Sequence, residues 1–549
     1  MSSASPRDRT SIGAAMFLVA ISLVAVAGAL ASVPEVTVST GSLRGVLTEG
    51  GAVASFRDVP FATAIRFEAP KPAAAWKGVR DASRFGVGCA QGRSSHNPDV
   101  PKNQTEDCTR LNIFTPVSAV GAAPKLPVMV WWHGGGFKEG SSMGPFDLYD
   151  GSKMVHAHGV VIVSCNYRLG VFGALVHDGG ITGNQGFLDQ RSCLQWVKAE
   201  IGAFGGDPDS VTIWGQSAGA QSVFLHMASA GSAGLFHRAI FESSPDLSLF
   251  EAKDAARLGH EVAKKLNCDK KSDPETIACM RAADADALWS AADAAASYWL
   301  TDITTISLSH PTASFLPFKP NVDGIDFVEQ PFATILSGNA PGAVPSIIGF
   351  NHDEMWALLD SFPSWFRGLE VQAALAILYG LPTAVRAWEH YSKAYPKHDD
   401  KDVSLKVLTD YIFTCSSQAM ALKMPQAYVY QWNHHDSFGP TVWAKFGLAQ
   451  CAHLACHETE IPLVFGNMGP AELNISFTPA EGELSKVFMQ SFTDLAKGRA
   501  PTGSSGAVWP LYDATNRSGL AINETAVPGS LGVAASVCAD IWDKAGYLH

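Results

Sequence analysis

The stretch Phe204–Gly219, FGGDPDSVTIWGQSAG, constrains the fold more than any other. It reads as a loop, a short β-branched strand over Val211–Trp214, a sharp turn carrying Ser217, and then a helix. That is the form of a nucleophile elbow, Gly-x-Ser-x-Gly. A serine hydroxyl lifted out of the fold on a strained turn needs small neighbours. Gly215 and Gly219 supply them, and glycine tolerates backbone angles that other residues avoid. The helix that follows points its first N–H groups back at the turn. The pentapeptide alone says little in a chain with 50 glycines among 549 residues; its meaning depends on what surrounds it.

The surroundings repeat the strand-to-helix alternation. Residues 32–66 read as β-hairpins separated by turn glycines. Leu111–Thr115 is a strand. Pro127–Trp132, PVMVWW, is wholly apolar, as expected at the centre of a covered sheet, and runs into His133-Gly134-Gly135-Gly136. Val160–Asn166 is another buried strand. Leu188–Phe204 is a helix, with Leu188, Cys193, Leu194, Val197 and Ile201 at helical spacing. Further strands are expected at Arg238–Ser243, Pro345–Phe350 and Ala427–Trp432. Helical, alanine-rich sequence fills about 250–340, residues 366–424 are mostly helical, and a last helix covers about Glu481–Lys497. The pattern predicts an α/β fold: a large mixed, mostly parallel sheet with helices on both faces and small N-terminal hairpins. No internal repeat or Pro/Ser-rich linker appears, so residues 32–549 are expected to form one domain with helical insertions.

The N-terminus reads as a targeting segment. Arg7 and Arg9 precede an apolar run from Ile12 to Leu30, followed by Ala29-Leu30-Ala31. This fits a signal peptide over residues 1–31, with a signal anchor as the alternative. The body should then be exported, with no membrane span left after cleavage. Ten cysteines fit an oxidising compartment. Cys89/Cys108, Cys268/Cys279 and Cys451/Cys456 each close a short loop, and Cys415 and Cys538 are available to pair over a long range. Cys165, in an apolar strand, and Cys193, in a helix, read as buried free thiols. Asn-x-Ser/Thr sequons occur at Asn103, Asn474, Asn516 and Asn523, so a glycoprotein is expected where the cell glycosylates. The formal net charge of −12 and the absence of basic clusters argue against nucleic acid.

Acyl transfer requires a base, an orienting acid and an oxyanion hole beside the serine. The turn Gly134-Gly135-Gly136 comes directly off a central strand, and with the N–H of Ala218 it would make a three-donor hole. For acid and base the residues alone leave alternatives open. Glu354, in GFNHDEMW, and His457, in CHETEIPLVFGN, follow Ser217 in the order of an Ser–acid–His enzyme. Asp353 is an alternative acid, and His352, His434, His435 and His453 are rival bases. Cys451-x4-Cys456-His457 superficially suggests zinc but reads better as a disulfide beside a base. No metal or organic cofactor is implied.

From about residue 35 onward the chain resembles the type-B carboxylesterase/cholinesterase family of α/β-hydrolases. The elbow signature matches in full. EDCTRLNIFTP (106–116) is similar to the family's second signature, with Thr109 where an apolar residue is usual. NYRLGVFG (166–173), NQGFLDQRSCLQWVKAEIGAFGGDP (184–208), NVDG (321–324), GFNHDE (349–354) and HETEIPLVFGN (457–467) also match, in order. The resemblance implies an α/β-hydrolase fold, with Ser217 as nucleophile, His457 as general base then acid, and Glu354 as its orienting carboxylate. It also implies Gly135, Gly136 and Ala218 as oxyanion donors. The family disulfides match Cys89–Cys108, Cys268–Cys279 and Cys415–Cys538; Cys451–Cys456 is an addition. Arg66 and Glu106 resemble a buried structural ion pair of the family.

Departures from the family narrow the substrate. Many relatives carry Glu before the serine, where this chain has Gln216, which weakens attraction for a cation. The first disulfide loop, AQGRSSHNPDVPKNQTED, holds no tryptophan to bind a quaternary ammonium. It is almost wholly polar, unlike the inner face of a lipase lid. FATAIRF is shorter than the corresponding family stretch. The expected function is a secreted serine carboxylesterase acting on small or medium uncharged esters through an acyl-enzyme. A lipase acting on acylglycerols is the first alternative; a cholinesterase and a non-catalytic binding module stand behind it.

Overall fold

The computed structural model describes residues 33–546, apart from 93–99, 124, 246, 302–310, 359–367, 469–474, 504–505 and 532–535. The expected signal peptide lies outside the described residues, as does Asn474.

An eleven-stranded sheet runs through the chain. Two short strands, β1 (Glu35–Val38) and β2 (Gly41–Arg44), pair outside it as an antiparallel hairpin. The sheet is built from β3 (Val46–Thr48), β4 (Val53–Pro60), β5 (Arg110–Pro116), β6 (Leu126–Trp132), β7 (Val161–Cys165), β8 (Gly206–Gln216), β9 (Arg238–Glu242), β10 (Ser346–Asn351), β11 (Ala427–Trp432), β12 (Ser518–Ile522) and β13 (Ala526–Ser530). In space the order is β13-β12-β11-β10-β9-β8-β6-β7-β5-β4-β3. Neighbours from β7 across to β12 are parallel, and both edges end in antiparallel pairs. The sheet is therefore mixed and mostly parallel, an α/β-hydrolase arrangement. Strands β12 and β13 escape sequence reading because each is short and interrupted by glycine or proline.

Alternation along each strand sorts the core into two layers. On β6, Met129 and Trp131 enter one apolar cluster while Val128, Val130 and Trp132 enter the other. Helix α1 (Gln185–Glu200) and helix α2 (Ala218–Ala228) cover the second face through Phe187, Leu194, Val223 and Leu225. Among later helices are α3 (Asp400–Thr409) and α4 (Pro479–Ala496). Helix α4 covers the first face through Leu484, Phe488 and Phe492. It starts two residues before Glu481, because Thr478 and Glu481 form a reciprocal capping box with Pro479 in the first turn.

The cysteines require one correction. Cys89–Cys108, Cys268–Cys279, Cys415–Cys538 and Cys451–Cys456 are paired, as expected. Cys165 and Cys193, expected to be free thiols, are also bonded, with Cα atoms 6.7 Å apart. Both positions are wholly buried, as their patterns indicated. Those patterns do not say that α1 lays Cys193 over the end of β7. Arg66 grips Glu106 through two nitrogens and also binds the carbonyls of Met280 and Ala283. No described helix is long and apolar enough to cross a membrane.

Candidate active site

Strand β8 runs to Gln216, and the chain then turns through Ser217 at φ 55°, ψ −123°, before α2 begins at Ala218. A serine adopts this backbone only where its surroundings enforce it. Here the Ser217 N–H donates to the Glu242 carbonyl at 2.9 Å, which ties the turn to the end of β9. Gly219 allows the close crossing: a Cβ there would sit 2.0 Å from the Trp132 carbonyl oxygen.

Trp132 ends β6, and the glycine turn follows directly. Gly135 and Gly136 both have positive φ, 94° and 61°, and a Cβ on Gly135 would collide with the Glu139 carbonyl at 2.1 Å. Gly134 packs against Ser217, with its missing Cβ 3.1 Å from the serine Cβ. Ala218, in the first turn of α2, points its N–H out of the helix start. The elbow and the glycine turn thus share one corner of the sheet.

Glu354 follows β10 and is wholly buried. Its Oε2 lies 2.5 Å from His457 Nδ1, and its Oε1 accepts the Asn351 N–H at 2.7 Å. His457 is 3% exposed. Its other ring nitrogen, Nε2, lies 3.1 Å from Gln216 Nε2. No hydrogen bond joins Ser217 Oγ to His457 among the described residues. Burial pushes the imidazole down, but the charge and hydrogen bond of Glu354 outweigh it. Glu458 and Glu460 add to the effect, and His457 sits above its ordinary value. Burial and the Glu354 charge push Glu460 up to about 8. Glu242 is also held well above the ordinary carboxyl range, by burial and by Glu460.

Asp353, His352 and His434 have other partners. Asp353 turns away from His457 and bonds Lys406 Nζ at 2.8 Å and the Ala455 N–H at 3.2 Å. Burial opposes its ionisation; His352 and Lys406 more than reverse that and hold it well below its ordinary value. His352 joins the same cluster, 2.7 Å from Lys406 Nζ. His434 lies 3.5 Å from Glu481, the helix-capping glutamate, and together with Asp436 the two form a buried polar group. The cysteines of the zinc-like spacing are bonded to each other and hold no ligand positions.

Two neighbours of the site carry no signal in the sequence. Lys406, on α3, sits inside a long helical run. Phe413 lies in a π-helical turn, Asp410–Thr414, and its ring centroid is 5.1 Å from that of His457. Irregular helical turns of this kind often occur at functional sites, but nothing in DYIFT announces one. A cavity of 240 Å³ opens beside Gly136, walled by Trp289, Phe315, Leu316 and Phe318, with Lys138 and Asp293 among its lining residues.

The profile of the carboxylesterase family matches residues 32–537. The chain belongs to that family. It is a carboxylic ester hydrolase with the α/β-hydrolase fold. Among curated proteins this carboxylesterase is 34% identical to the crystal protein of Dictyostelium discoideum, covering 88% of this chain and 86% of that protein. It is 32% identical to the medium-chain fatty acyl-CoA hydrolase precursor of Anas platyrhynchos, over 89% of each. It is 30% identical to the cholinesterase of Mus musculus, over 89% of this chain and 83% of that protein.

Proposed function

We propose that the chain is an exported serine carboxylesterase acting on uncharged esters of short to medium acyl chain. The observation that carries the reading is the 2.5 Å contact between buried His457 and buried Glu354, on loops that meet the Ser217 elbow through Gln216. Ser217 is the nucleophile, His457 the base and Glu354 the residue that fixes the imidazole tautomer. His457 Nε2 takes the hydroxyl proton as Ser217 Oγ bonds to the ester carbonyl carbon. The N–H groups of Gly135, Gly136 and Ala218 receive the developing oxyanion. The imidazolium then returns its proton to the leaving alkoxide, the C–O bond breaks, and an acyl-serine remains. Water repeats the two steps, activated by the same histidine, and frees the acid.

The substrate class follows from charge and shape. Gln216 is neutral, and Glu242 and Glu460 are both shifted toward their protonated forms by burial. Gln216 therefore adds no negative charge beside the serine to hold a cationic alcohol. The 240 Å³ cavity beside Gly136 is walled chiefly by aromatic and aliphatic groups, which suits an acyl chain of modest length; the duck relative's medium-chain name agrees. Five disulfides support passage through an oxidising compartment.

The test is a panel of p-nitrophenyl esters of graded chain length, with acetylthiocholine and emulsified triglyceride alongside. A short- or medium-chain optimum is expected. Preference for acetylthiocholine, or activation by the emulsion interface, would replace this reading with a cholinesterase or a lipase.

A further inference from the structure

The base is tethered at both of its nitrogens. Glu354 Oε2 at Nδ1 is an acceptor, so Nδ1 carries the ring proton. Gln216 Nε2 is an amide donor 3.1 Å from His457 Nε2, so that nitrogen presents its lone pair. Only the neutral imidazole with the proton on Nδ1 satisfies both contacts. The Nε2 lone pair is single and lies in the ring plane. It is the group that must take the Ser217 proton, and in this structure the amide one residue earlier in the chain holds it.

Gln216 is built to stay there. It ends β8, its backbone is in register with Glu242 of β9, and it is 2% exposed. Its Oε1 lies against Gly134, where a Cβ would come within 2.6 Å of it. Gly134 therefore makes room for this amide as well as for the elbow.

We propose that Gln216 is a positioning residue that parks His457 as a neutral base between turnovers, and that Ser217 must displace its amide before attack. The proposal rests on the reading of His457 as the base. Glu354, Glu458 and Glu460 bear directly on the imidazole. Glu242 and Tyr430 stand behind Glu460, and Glu139 behind Glu458. Of these, the carboxyls of Glu354, Glu458 and Glu460 favour the imidazolium. The Gln216 N–H acts the other way, because a donor at Nε2 is compatible only with the neutral ring.

The experiment is the pH dependence of phosphonylation of Ser217 by a fluorophosphonate, a single event with no deacylation. In Gln216→Met the acid limb should move up by about 0.5–1 pH unit, the size of one hydrogen bond. In Gln216→Glu it should move further, because a carboxylate accepts from the protonated Nε2. Gln216→Asn, too short to reach, should follow Gln216→Met and replaces it if that variant does not fold. A limb unchanged or lowered in Gln216→Met or Gln216→Asn overturns the proposal. Selective 15N-histidine spectra of the wild type need no variant: a resting His457 with Nδ1 protonated and Nε2 bare supports it, and the reverse tautomer overturns it. A wild type that is not phosphonylated at Ser217 would instead sink the serine-esterase reading itself.

Discussion

Asp353 and Glu354 are consecutive residues that face different partners: Glu354 Oε2 meets His457 Nδ1 at 2.5 Å, and Asp353 Oδ1 meets Lys406 Nζ at 2.8 Å. The second contact serves the first. Asp353 also exchanges hydrogen bonds with Ala455, its N–H donating at 2.8 Å and its Oδ2 accepting at 3.2 Å. Asn351 Nδ2 donates to the Cys456 carbonyl at 2.6 Å. The acid turn and the base loop are thereby stitched together just before His457.

Removing the cation should unpick this. Lys406 and Asp353 are both buried, with side chains 2% and 6% exposed. Lys406→Met should leave a buried carboxylate without its ammonium partner and cost about 3–5 kcal/mol of stability. Asp353→Asn combined with Lys406→Met should recover part of that loss. Denaturant unfolding of the two variants and the wild type measures both. Because Asp353 is depressed below its ordinary 3.8, its contribution is present above that pH and should fade as pH falls below it.

Glu460 gives the opposite slope. Its folded value is about 8 against an ordinary 4.5, so between those pH values the folded chain holds a proton that the unfolded chain releases. Its contribution is therefore full below pH 4.5 and is lost as pH rises toward 8, by at most ~1.4 kcal/mol per pH unit. Unfolding free energy measured from pH 5 to 8 should fall less steeply in Glu460→Gln than in the wild type.

The rate should also report the base. His457 is raised above 6.5 by its carboxylate neighbours, and only its neutral form accepts the serine proton. The acid limb of kcat/KM should therefore lie above pH 6.5. A limb well below that value would contradict the environment described for the ring.

The Cys451–Cys456 bridge closes the turn immediately before His457. Replacing both cysteines by serine should loosen the base loop and lower kcat by about 10- to 100-fold, the scale of a small misplacement, with KM changed far less. A parallel fall in stability without a fall in kcat would assign the bridge to folding alone.

Chain length should be set at the cavity wall. Trp289→Ala should enlarge the space beside Gly136 and move the p-nitrophenyl ester optimum to longer acyl chains, by roughly tenfold or more in kcat/KM per methylene accommodated. An unmoved optimum would place the acyl chain elsewhere.

Much of this was legible in the residues. The apolar strands PVMVWW and VVIVSC, and the elbow between Gly215 and Gly219, follow local rules, and the sheet contains them nearly as read. The choice of Glu354 and His457 among many acids and histidines was not local. It came from a resemblance, and the contact between them depends on β10 and a loop about 100 residues later. The Cys165–Cys193 bond, the Lys406 cluster and Phe413 beside the ring were invisible for the same reason: each joins elements whose packing no single stretch encodes. Gln216 is the instructive case. In the sequence it is an altered charge beside the serine; in the fold it touches the base.

Ser217 carries the proposed chemistry. Active-site titration with a fluorophosphonate, followed by peptide mass spectrometry, should find one adduct per chain, on Ser217, with ester hydrolysis lost in step; Ser217→Ala should take no label and lose activity by several orders of magnitude. An adduct on another residue, or ester hydrolysis surviving in Ser217→Ala, would contradict it.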